Sequence, residues 1–139
     1  MRRLPLLSSI LLSCVACTRA PERPNVLLIT VDTLRADRLS SLGSLRATTP
    51  CLDRLAAQGL VFTHAESPRS KTTPAIVSIF TGLYPHDHGA RELLMPVAPT
   101  IPLLPQRFRD AGYRAGAIVG NFVLKDEHSG LQRGFDQWT

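Results

Sequence analysis

Two residues carry most of the chemical potential of this 139-residue chain: Asp32 and Thr72. Thr72 lies in Lys71–Gly89, KTTPAIVSIFTGLYPHDHG, which reads as a loop delivering two hydroxyls to the start of a short helix. Pro74 suits a first helical position, because it has no N–H to leave unpaired and its φ is already helical. Thr73 is then the expected N-cap, with Thr72 just outside, facing the free N–H groups. Ala75 to Thr81 is apolar except for Ser78, as befits a helix buried on most sides, and Gly82 supplies a left-handed stop. A helix N-terminus favours negative charge by roughly 0.3–1 kcal/mol, so an alkoxide formed on Thr72, or a sulfate or phosphate beside it, is stabilised there. The same pattern also describes an ordinary capped core helix, and the β-branched Ile76, Val77 and Ile79 leave a strand open.

Elements that bring an acid to that hydroxyl come earlier. NVLLITVD, Asn25–Asp32, is a continuous apolar run ending in a carboxylate, the signature of a strand buried in a parallel sheet. Asp32 then falls at the strand's carboxyl end, where open α/β sheets place their ligands. A turn and short helix follow over 33–41. Thr49-Pro50 opens a helix with the apolar stripe Leu52, Leu55 and Ala56, closed by Gly59. Residues 60–65, LVFTHA, read as a second strand. A helix is expected from Thr100 to about Ala111, and a third strand over 114–119. Residues 120–139 carry turn residues and no clear element. The order β-α-β-α-α-β predicts an α/β domain with a mainly parallel central sheet flanked by helices. Three strands make a thin sheet, so an incomplete domain is expected over 25–139.

Residues 1–16 read as an export signal: a positive Met1-Arg2-Arg3 followed by an apolar run too short to span a bilayer. LLSC and CVAC, ending at Cys14 and Cys17, each resemble a lipobox. A lipoprotein cleaved before Cys17 and simple secretory cleavage are both open, and both make the protein exported, to the periplasm or the outer membrane. Residues 17–24 form a linker. Losing Arg2 and Arg3 lowers the formal charge from +5 to +3, with no basic stripe, which argues against nucleic acid as a partner. Cys51 is expected to be a small buried apolar residue. His86 and His88, two apart in a turn, are a candidate metal pair but fit a structural loop better.

Taken in order, NVLLITVDTLRADRLSSLG, TTPCLDRLAAQGLVFTHAESP, TTPAIVSIFTGLYPHDHG, FRDAGYRAGAIVGN and GFD resemble the N-terminal part of the sulfatase family, within the alkaline-phosphatase superfamily. The resemblance runs from about Pro24 to Asp136. It implies a large α/β sandwich and a metal-dependent hydrolase of small-molecule, glycan or lipid sulfate or phosphate esters. Asp32 matches the strand-end metal ligand, and Thr72 matches the nucleophile, which also contacts the metal. The implied cation is Ca2+ for a sulfatase, and Mn2+ or Zn2+ for a phosphoryl transferase. Lys71 and Asn121 are candidate substrate contacts.

The departures are specific. Sulfatases carry Cys or Ser in C-x-P-S-R and oxidise it to formylglycine, whereas this chain reads Thr72-Thr73-Pro74-Ala75-Ile76, so no formylglycine is expected. Thr33 replaces the second acid of the usual Asp-Asp pair. Asn121 and Val123 stand at a Lys-x-His pair. Threonine nucleophiles belong to the phosphodiesterases and phosphoryl transferases of the same superfamily, which gives an alternative reading alongside a degenerate, non-catalytic module. The family's remaining metal ligands lie downstream of anything in this sequence, so the 139 residues alone are expected to be inactive.

Overall fold

The computed structural model describes residues 23–139, and the expected leader and Cys17 lie outside the described residues. The chain divides into residues 1–31 and 32–139. In the first unit, residues 23–31 form no regular element, and Val26, Leu27, Leu28 and Ile29 are exposed. The strand expected over 25–31 is therefore absent. A strand of this kind exists only when neighbours take up its N–H and C=O groups, and no described residue pairs with it.

The second unit is built mainly of helices. Two 3-10 turns, Ala36–Arg38 and Ser40–Leu42, precede α1 (Pro50–Gln58). The helices α2 (Thr72–Thr81), α3 (Pro85–His88) and α4 (Leu104–Asp110) follow. Then come β1 (Gly116–Ala117), a 3-10 turn at Phe122–Leu124, α5 (Asp126–Ser129) and β2 (Gln137–Trp138). β1 and β2 are parallel, with Gly116 opposite Gln137 and Ala117 opposite Trp138. The parallel sheet expected from the sequence is thus present as two short strands, an incomplete α/β arrangement. The run 60–65 forms no strand, its residues Leu60, Val61 and Phe62 being exposed. The third expected strand shrinks to Gly116–Ala117. Its partner lies in the segment 120–139, where the sequence showed no element. Gln137 and Trp138 pair only across 20 residues of intervening chain, a contact that local pattern does not reveal.

The core is Val77, Ala90, Val97, Leu103 and Leu131, with Ile76, Phe80, Ile101, Leu124 and Trp138 packed against it. Burying each larger aliphatic side chain contributes about 1.5–3 kcal/mol. This core sits under one side of α2, which keeps Val77 inside while Ile79 faces out. Thr49 is the N-cap of α1 and Pro50 its first residue, as expected. No residue of α1 is buried, however, and Cys51 is exposed with its sulfur accepting from Arg54 at 3.2 Å. The expectation of a buried thiol fails because the apolar stripe of α1 has no cover among the described residues. The backbone is constrained at two positions, one beside Asp32 and one against α4. Thr33 has φ 55°, and Gly134, at φ +89°, comes so near Gln106 that a Cβ there would lie 2.5 Å from its backbone nitrogen.

Candidate active site

Two residues later than the structure shows was the start expected for α2. The helix begins at Thr72, with Lys71 in an extended N-cap conformation, and the N–H of Ala75 donates to the Lys71 carbonyl at 3.2 Å. Thr73 is buried and caps nothing. Its hydroxyl donates to the Val123 carbonyl at 3.3 Å, tying the first turn of α2 to the 3-10 turn after β1. Thr72 is half-buried. Its hydroxyl stands 3.1 Å from Oδ1 and 3.0 Å from Oδ2 of Asp32, donating to the carboxylate across 40 residues of chain.

Asn121 completes the cluster. Its Nδ2 donates to Asp32 Oδ2 at 2.7 Å, while its Oδ1 accepts from the Val123 N–H at 3.1 Å. The structure therefore gathers Asp32, Thr72 and Asn121 at the N-terminal end of α2. Lys71 is near in sequence but turned to another partner. Its Nζ pairs with the Glu92 carboxylate, which also accepts from Arg69 at 2.8 Å. Hydrogen bonds from Lys71 and then Arg69 hold the Glu92 carboxyl below its usual range. Glu92 lies in the irregular connection after Gly89, and nothing in the sequence pointed to it.

The second turn of α2 is anchored from the other side. Ser78 Oγ lies 3.0 Å from Nε2 of the fully buried His88, whose Nδ1 accepts from the Ala90 N–H at 3.2 Å. His86 is exposed and 3.3 Å from Asp87. The two histidines thus do not form a metal pair, since one ring is committed inside and the other faces solvent.

The donors at Asp32 accord with a hard divalent cation in kind, because a carboxylate and a hydroxyl are the oxygen ligands such ions take. They fall short in number. Among the described residues no group of three or more His, Cys, Asp and Glu side chains is placed to hold a metal. Asn121 does not extend the set, since its carbonyl oxygen is taken by Val123.

The sulfatase family model matches residues 24–139. Human N-acetylgalactosamine-6-sulfatase is 34% identical over 134 residues, covering 86% of this chain and 26% of that protein. N-acetylgalactosamine-6-O-sulfatase of Bacteroides thetaiotaomicron is 33% identical over 110 residues, covering 74% of this chain and 21% of the relative. The chain thus spans about a quarter of the length of the curated relatives it matches. Its backbone is similar to that of the phosphonate monoester hydrolase of Agrobacterium radiobacter, with a TM-score of 0.71 and 29% identity, over 83% of this chain and 25% of that one. Pattern, sequence and backbone agree across nearly every described residue: the chain belongs to the sulfatase family, within the alkaline-phosphatase superfamily.

Proposed function

We propose that this chain is the N-terminal part of the catalytic domain of an exported, metal-dependent ester hydrolase in which Thr72 is the nucleophile. One observation carries the reading: the Thr72 hydroxyl meets both oxygens of Asp32 at the start of α2. In the reaction, the Thr72 oxygen bonds to the sulfur or phosphorus of the ester as the bond to the leaving alcohol oxygen breaks. The Thr72 proton departs along its hydrogen bond to Asp32, and water then releases the acid from the threonine. Asp32 and Thr72 would hold the cation, which when bound lowers the pKa of a coordinated hydroxyl. They provide two of about six oxygen ligands, so the 139 residues alone are inactive in this reading.

The substrate is a sulfate or phosphate ester of a small molecule, glycan or lipid. Threonine at position 72 and the likeness to a phosphonate monoester hydrolase favour a phosphorus ester, and hence the phosphodiesterase or phosphoryl-transferase reading. In this reading residues 1–16 carry the protein out of the cytoplasm, either to the periplasm after simple secretory cleavage or to the outer membrane with a lipid on Cys17. The test is hydrolysis of paired aryl sulfate and phosphodiester substrates by the full-length protein, with Ca2+, Mn2+ or Zn2+. Thr72→Ala should reduce kcat by at least about 100-fold while the far-UV spectrum stays unchanged. Turnover retained in that variant removes the nucleophile. No turnover by the unsubstituted protein favours the non-catalytic module.

A further inference from the structure

Asn121 stands where the family resemblance suggests a substrate contact, yet both ends of its amide are already committed. Oδ1 accepts from the Val123 N–H at 3.1 Å, which fixes the orientation of the amide and aims Nδ2 at Asp32 Oδ2, 2.7 Å away. The Val123 carbonyl is itself held by the Thr73 hydroxyl at 3.3 Å. A closed circuit results: Asp32 to Asn121, Asn121 to Val123, Val123 to Thr73, and through the adjoining peptide to Thr72, whose hydroxyl returns to Asp32. Every link except that peptide bond is a hydrogen bond. Asp32 is exposed and belongs to no helix or strand, so its side chain has little packing to choose a rotamer for it. The Asn121 donor occupies one of the lone-pair directions of Oδ2 and removes that freedom.

We infer that Asn121 is a positioning residue: by holding Oδ2 it sets the Asp32 carboxylate against Thr72, so that Oδ1 faces the threonine hydroxyl alone, and it makes no contact with substrate. This rests on the reading of Asp32 and Thr72 given above. Such outer partners of a metal-binding carboxylate commonly govern affinity by about 10–100-fold. Asn121→Ala keeps the charge of the site and deletes the donor. Asn121→Asp keeps an acceptor for Val123 but sets a second carboxylate beside Asp32.

The first measurement needs neither metal nor turnover. The side-chain amide protons of Asn121, followed by NMR in the 139-residue chain, should shift when Asp32 is replaced by Ala and stay unmoved when Lys71 is replaced by Ala. No shift on Asp32→Ala overturns the inference. In the full-length protein, calorimetric Mn2+ binding should weaken about tenfold or more in Asn121→Ala and tighten in Asn121→Asp. Kinetics should show kcat falling with KM within about twofold of the unsubstituted value. A raised KM with unchanged kcat overturns the inference in favour of a substrate contact, and unchanged Mn2+ affinity overturns it as well. If the unsubstituted protein hydrolyses neither ester, the proposed function fails while the NMR result still decides the role of Asn121.

Discussion

Acid should loosen this fold through His88. The ring is fully buried, and its Nδ1 accepts from the buried Ala90 N–H at 3.2 Å, so the proton sits on Nε2 and points to Ser78 Oγ at 3.0 Å. A second proton has nowhere to go, because it would set an N–H against the Ala90 N–H. Burial accordingly holds the imidazole below its ordinary value, outweighing the bonds to backbone near Pro74 and at His88 and the charge of Asp87, which raise it; His86 lowers it slightly further. Between the folded and unfolded pKa values the unfolded chain binds more protons than the native one. Stability is therefore greatest above pH about 6.5 and is lost as pH falls through that value, levelling off below the folded pKa. A single proton limits the slope to about 1.4 kcal/mol per pH unit.

His88→Ala removes the titration and strands the Ala90 N–H in the interior, an expected loss of about 1–3 kcal/mol at pH 8 before any contribution from the vacated space. Urea unfolding followed by far-UV circular dichroism, at pH 8 and pH 5.5, measures both effects. The exposed His64 and His86 and the half-buried His128 are present in both proteins, so the difference between them isolates position 88. That difference should narrow at pH 5.5. An equal gap at both pH values refutes the linkage, and a gap under about 0.5 kcal/mol at pH 8 refutes the claim that the buried bonds matter.

Two further substitutions probe backbone strain near the site and the strand pair. Thr33 holds a left-handed φ of 55° that a β-branched residue tolerates poorly, so Thr33→Gly should raise the unfolding free energy by about 0.5–1 kcal/mol after its own entropic cost; a loss of stability refutes the strain. At Gly134 a Cβ would lie 2.5 Å from the nitrogen of Gln106, so Gly134→Ala should cost about 2–4 kcal/mol by thermal melting, and a neutral result would mean that α4 yields to the chain before β2.

What the sequence revealed divides along the range of the interactions. Thr49-Pro50 announces α1, and Gly82 ends α2 in the left-handed conformation, because caps and stops are decided within a few residues. The proximity of Asp32 to Thr72 was legible too, through the order of the motifs and not through any local pattern. The roles assigned to them are proposals that the hydrogen bond supports. The start of α2 was misplaced because Thr73, a good cap in isolation, spends its hydroxyl on Val123, 50 residues away. The pairing of Lys71 with Glu92 and the burial of His88 were hidden for the same reason: both depend on how the connection after α2 folds back. The runs 25–31 and 60–65 show the opposite failure. Their composition is that of strands, but a strand is a relation between segments, and composition names only one side of it.

Ser78 and Thr72 ride on one rod. They are six residues apart, about 9 Å along the axis of α2. The hydroxyl at the tip is aimed by Asp32, and the shaft is clamped at mid-length by an imidazole facing the interior. Both residues are fixed to the same run of helical backbone hydrogen bonds, so the grip at Ser78 also bears on where residue 72 stands. The aim of the hydroxyl is thus tied at two points, to the acid at the tip and to the histidine that grips the shaft.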